Sequence, residues 1–141
     1  MIIIKKIVLP SLVAGIVMVV TNMIVGQIFH GLFPTLILEY NNPSLFRPWS
    51  DPIMSLFLLY PFILAIILVI VWEKVDKLIS GKTHAEKALR FGTTYWLLTS
   101  ITGMLISYST FPVSLLMIFS WSISSLITVI AGVYIIVWMK K

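Results

Sequence analysis

The sequence predicts an all-α fold: a four-helix transmembrane bundle with both termini inside and a structured outer loop between the first and second helices. Three observations carry that expectation. Apolar residues make up 60% of the 141-residue chain and charged residues 11%, against about 45–50% and about 25% in soluble domains. So small a globule cannot hide that much apolar surface from water. Three long tracts, 7–29, 53–72 and 91–139, hold no Asp, Glu, Lys or Arg. Nine of the ten lysines and arginines flank those tracts on what a four-span path makes one side.

A helix of about 20 residues crosses the roughly 30 Å of a hydrocarbon core. The third tract is too long for one crossing, and the "SYSTFP" at 107–112 divides it. Helices are therefore expected at about 7–30, 52–80, 84–109 and 112–138, within a single membrane domain covering 1–141. The tracts do not alternate as barrel strands do, which leaves helices as the way to satisfy every backbone group in lipid.

The first span follows Lys5 and Lys6. It is too long for the core of a signal peptide and lacks a small-x-small cleavage site, so it is expected to be retained. It carries Asn22, Gln27 and His30. Asn22 is the deepest amide, and it shares a stripe with Gly15 and Gly26 at i, i+7 and i+11. Such a residue either hydrogen-bonds another helix or meets a ligand or solute.

Residues 41–52, "NNPSLFRPWSDP", hold three of the seven prolines and form the outer detour. Proline lacks an amide donor, so fewer backbone groups need partners near lipid. Phe46 and Trp49 suit the headgroup layer. The segment reads as a cap folded onto the bilayer, or as a lid over a cavity. The His, Asp, Glu and Arg side chains expected on this outer face are His30, Glu39, Arg47 and Asp51. They could in principle share acid–base work or hold a cation, but no ligand spacing is present, and neither a metal nor a cofactor is assigned. "NPS" at 42–44 imitates a glycosylation acceptor that its proline blocks.

Asp51 then Pro52 reads as an N-cap and first helical position for the second span. Pro61 lies inside that span and is expected to kink it. Glu73 and Lys77 form an i, i+4 pair on its projecting end, and Gly81 suits its stop. Thr83 and Glu86 have the spacing of a capping box for the third helix. "SGKT" at 80–83 ends like a phosphate-binding loop. It lacks both the earlier glycine and the preceding strand of that motif.

From Thr93 to Thr128 there are fourteen Ser and Thr residues, Thr99 among them. Ser120, Ser124, Thr128 and Gly132 recur every fourth residue, and Gly103 with Ser107 makes a shorter ridge. Small ridges let helices approach closely in lipid. The same hydroxyls could instead line a path for a neutral solute.

Lys5, Lys6, Lys74, Lys77, Lys82, Lys87, Arg90, Lys140 and Lys141 fall on one side of a four-span path, and Arg47 alone on the other. Positive residues stay inside, so an inner-membrane, multi-pass protein with cytoplasmic termini is expected. The net charge of +5 forms no stripe for a phosphate backbone, so nucleic acid is not an expected partner. Cysteine is absent, which excludes thiol chemistry. No Asp, Glu, Lys or Arg lies at membrane depth, where coupled transporters and pumps keep an ionisable group.

"EKALRFGTTYWLL", "ISYSTFPVSLLMIFSWSI" and "AGVYI" together resemble an uncharacterised family of small four-span prokaryotic integral membrane proteins. The matching positions are Arg90, Phe91, Gly92, Tyr108, Pro112, Trp121, Ala131 and Gly132, with Arg47-Pro48 at the entry to the second span. The resemblance implies four spans and no activity.

The function expected is that of a non-enzymatic module that binds a lipid or apolar small molecule, or packs against a partner such as a second copy. Asn22, Gln27, His30, Arg47, Trp49, Asp51, Thr99 and Trp121 are its candidate ligand contacts. Gly15, Gly26, Gly103, Ser107, Ser120, Ser124, Thr128 and Gly132 are its candidate packing residues. The alternatives are an oligomeric channel or transporter for a neutral solute, and an enzyme with a site at the outer interface.

Overall fold

The computed structural model describes residues 4–140, with side chains from Lys6 onward. Lys141 and the side chain of Lys5, both used in the charge argument, lie outside the described residues. The fold is all-α, with no strand among the described residues. A π-helical turn at Ile4–Val8 leads into α1 (Leu9–Leu32). Next come the short α2 (Thr35–Tyr40), a 3-10 turn at Pro52–Met54, and α3 (Ser55–Val75). The chain ends with α4 (His84–Thr110) and α5 (Leu115–Met139). Three helical stretches, Lys6–Leu32, Pro52–Val75 and Leu115–Met139, are long and apolar enough to cross a membrane. α4 has the length, but its many hydroxyls leave it less apolar.

Local chemistry sets the helix starts. Pro10 sits in the first turn of α1, where no amide partner is needed. Asp51 accepts from the Ile53 amide at 2.9 Å and opens the 3-10 turn that becomes α3. Thr83 caps α4 by accepting from the Glu86 amide at 3.1 Å. Glu86 reaches back to the Lys82 amide at 2.9 Å, one residue beyond the usual partner in a capping box. Ser114 caps α5 by accepting from the Met117 amide at 3.1 Å.

Two local expectations are corrected. α3 ends at Val75, not near residue 80, because the chain turns at residues 76–78 and carries Gly81 in an open link. Glu73 pairs with Lys140 at the end of α5, not with Lys77, which has left the helix. Pro61 is accommodated inside α3, which runs unbroken through it.

The long helices pack in the order α3, α1, α5, α4, with only a weak contact between α3 and α5. They draw together at the end that carries Lys74, Lys82, Lys87, Arg90 and Lys140, termed here the basic end. The main core lies there: Met18 of α1, Leu68 and Trp72 of α3, Ala88 and Phe91 of α4, and Val133 and Ile136 of α5 are all buried. Trp72 and Phe91 meet at a centroid distance of 5.4 Å. Glycines allow the close approaches. A Cβ on Gly132 would lie 2.5 Å from Met18, and one on Gly92 would lie 3.0 Å from Ile130.

A second, smaller core closes the other end. Leu36 of α2 is buried with Val113, Met117 and Ile118 around the start of α5. Phe29, Phe46 and Trp121 pack against it. α3 contributes nothing to this core.

Candidate functional site

Most of the expected ligand contacts lie at the capped end, on both sides of one aromatic cluster. The 31–51 segment folds back over α5 because α2 has an apolar side, buried at Leu36, and two polar anchors. Glu39 accepts the amide of Ser114 at 3.0 Å, across 75 residues of chain. Tyr40 accepts the indole N–H of Trp121. The rings then form a chain: His30 stands edge-on to Tyr40 at 5.4 Å, Tyr40 is tilted against Phe46 at 5.4 Å, and Phe46 meets Trp121 edge-on at 6.0 Å. Burial pushes the Tyr40 phenol above its ordinary value, and the hydrogen bond from Trp121 offsets only part of that. The phenol therefore stays neutral and serves as a hydrogen-bonding and packing group.

Arg47 and Asp51 pair with each other at 3.0 Å, on the solvent side of the cap. The Ile53 amide and then Arg47 hold the Asp51 carboxyl below its ordinary value. Trp49 turns away and stands edge-on to Phe57 of α3 at 5.7 Å. His30, Glu39 and Asp51 thus each serve a different contact. No group of three His, Asp or Glu residues among the described residues could hold a metal ion.

Asn22 and Gln27 lie on α1 between the two cores, and neither side chain has a hydrogen-bond partner among the described residues. Asn22 is half-buried, while Gln27 is exposed in a shallow apolar groove of about 420 Å³ with Met23, Ile24 and Ile28. The stripe through Gly15, Asn22 and Gly26 changes character along its length. A Cβ at Gly15 would lie 2.5 Å from Phe62 of α3, whereas nothing lies within 4 Å of one at Gly26. The reason is that α3 leaves the stripe: Leu56, Phe57, Leu58, Leu59 and Tyr60 are all exposed, so every side of its first turns is free. α3 therefore no longer covers the α1 stripe at Gly26.

The hydroxyls of α4 are mostly turned onto its own backbone. Thr94, Thr99 and Ser107 donate to the carbonyls of Arg90, Tyr95 and Gly103, four residues back. Ser120 donates to Met117, and Ser100 pairs with Ser125 at 3.0 Å between the two helices. Ser124 is half-buried, and Thr128 is buried with its hydroxyl unpartnered. Of the small ridges, Gly132 seats against α1 through Met18, whereas a Cβ at Gly103 would have nothing within 4 Å among the described residues.

The spacing arguments missed Tyr40, which holds the cluster together, and Ser114, the cap of α5. A serine two residues after Pro112 was a readable signal for the second. Nothing local marked the first, because its partner is 81 residues away.

No protein-family model, curated protein or solved structure matches this chain. The resemblance to small four-span prokaryotic proteins rests on the quoted residues alone.

Proposed function

We propose that this chain is a four-span protein of the inner membrane, with both termini cytoplasmic. We further propose that it is a non-enzymatic module whose outer half binds a lipid or an apolar small molecule. α4 serves as the fourth span. It is about 40 Å long at 1.5 Å per residue, and the return of its hydroxyls onto its own carbonyls lowers their cost in lipid. The basic end then faces the cytoplasm, in line with the positive-inside rule.

The observation that carries the binding reading is that the α1 stripe at Gly26 and the first turns of α3 are left uncovered, which leaves room for a gap between them. In a bilayer such a gap fills with hydrocarbon. The half-buried Asn22 amide, without a partner among the described residues, suits a ligand with an apolar body and one hydrogen-bonding end. Two features weigh against the other readings: the hydroxyls of α4 face its own backbone instead of a path, and His30, Glu39 and Asp51 do not converge.

Native mass spectrometry of protein extracted from membranes tests this. The wild type is expected to retain lipid, and Asn22→Leu with Gly26→Leu to retain less. A bare wild-type monomer with no retained ligand overturns the proposal. Crosslinking of a second copy at Gly26 reassigns the gap to self-association, and solute flux through reconstituted vesicles reassigns it to transport.

A further inference from the structure

The basic end holds a second feature that the lipid-binding reading does not use. A cleft of about 300 Å³ opens where the α3–α4 link crosses the ends of α3 and α5. Lys82 of the link, Lys87 of α4 and Lys140 beyond α5 converge on it, with Thr83 and His84 beside them and Asp76 as its one carboxylate among the described residues. Its floor is apolar, made by the buried Trp72 and Val137. Lys140 is paired with Glu73, but Lys82 and Lys87 have no ion pair among the described residues.

The link is shaped to bring these cations in. The Lys87 stem lies across Gly81 so closely that a Cβ there would sit 2.8 Å from its Cγ. Gly81 has no positive φ, so close approach rather than backbone freedom explains the glycine. Glu86, the nearest carboxylate on α4, is engaged by the Lys82 amide and by Arg90 instead of neutralising the cleft. The cleft and its cations make the site; the N-terminal dipole of α4 only adds to their field.

We propose that this cleft binds the phosphate of an anionic phospholipid headgroup. The lysines supply charge-assisted donors. Trp72 and Val137 lie at the ends of two membrane-length helices, so the cleft sits at headgroup depth with an apolar floor for the glycerol and upper acyl carbons. The site is separate from the uncovered α1 stripe at Gly26, at the other end of the helices, and depends only on the chain lying in a bilayer.

The test uses the full chain in phosphatidylcholine nanodiscs with an increasing share of phosphatidylglycerol, with retained lipid read by native mass spectrometry. Wild-type protein is expected to retain the anionic lipid in preference. Lys82→Gln with Lys87→Gln is expected to cut that preference roughly ten- to thirtyfold. Lys74→Gln with Lys77→Gln, which removes two lysines at the same end but outside the cleft, is expected to leave most of it. Asp76→Asn is expected to raise it. These are surface changes, and an unaltered thermal midpoint verifies folding.

Equal retention of both lipids by the wild type, or equal loss in the two double variants, overturns the proposal. Inorganic phosphate separates the two sources of the group: displacement of the lipid by millimolar phosphate overturns the lipid assignment in favour of a soluble anion, and no displacement supports it. Asn22→Leu is expected to leave the preference intact, so failure here and failure of the outer-half reading are distinguishable.

Discussion

At the basic end four long helices close on one another, whereas at the capped end α3 stands apart and a short helix with a proline-rich loop covers the other three. Glycine reports the difference. Each helical glycine in the basic half, Gly15, Gly92 and Gly132, would put a Cβ at 3.0 Å or less from a neighbour, and each in the capped half, Gly26, Gly31 and Gly103, would meet nothing within 4 Å. The same residue type therefore does two jobs. In one half it allows helices to touch, and in the other it sits on helix faces that no neighbour covers. In lipid no hydrophobic force draws helices together, so packing decides which half is firm.

The largest expected effect comes from a pair of methionines on α1. Met18 is 0% exposed and Met23 is 64% exposed. Met18→Ala is expected to destabilise by about 2–5 kcal/mol, and Met23→Ala by less than about 0.5 kcal/mol, measured as unfolding midpoints in one detergent. Equal losses would erase the distinction between the halves. Next come the glycines. Gly132→Val is expected to cost about 1–3 kcal/mol because buried Met18 has no room to move, while Gly103→Val is expected to leave the midpoint nearly unchanged.

Tyr40→Phe removes the acceptor for Trp121 and is expected to cost about 0.5–1.5 kcal/mol. Faster hydrogen exchange confined to residues 35–46 would sharpen the contrast, and exchange spread to Met18 would blur it. The smallest effect is one of pH. Asp51 at the cap and Glu86 at the basic end both have depressed carboxyl values, first through backbone amides and also through Arg47 and Arg90. Their contributions are complete above the ordinary values of 3.8 and 4.5 and are lost as pH falls through the lower folded values. Acid is expected to loosen the first turns of α3 and α4 together. Asp51→Asn should remove that response in α3 alone, and Glu86→Gln in α4 alone, as read by amide exchange.

Much of this architecture could be read locally. The charge-free tracts mark the long helices, and Asp51-Pro52 and Thr83 with Glu86 mark two starts, because caps act within four residues. What could not be read depends on which helices are neighbours. Gly103 with Ser107 and Thr128 with Gly132 look alike as patterns, yet only Gly132 faces another helix, because α5 lies between α1 and α4 whereas α4 ends the row. The partner of Glu73 is 67 residues away, and that of Trp121 is 81. No period in the sequence encodes those distances.

The anchors of the cap, Ser114 and Trp121, belong to the last helix, whereas the residues they hold, Glu39 and Tyr40, emerge from the ribosome far earlier. Leu36 and Phe46 must therefore wait, uncovered, until α5 has been made. Closure of the cap is a late event in assembly, and a chain halted before α5 would leave those side chains open to the cell's quality-control proteases.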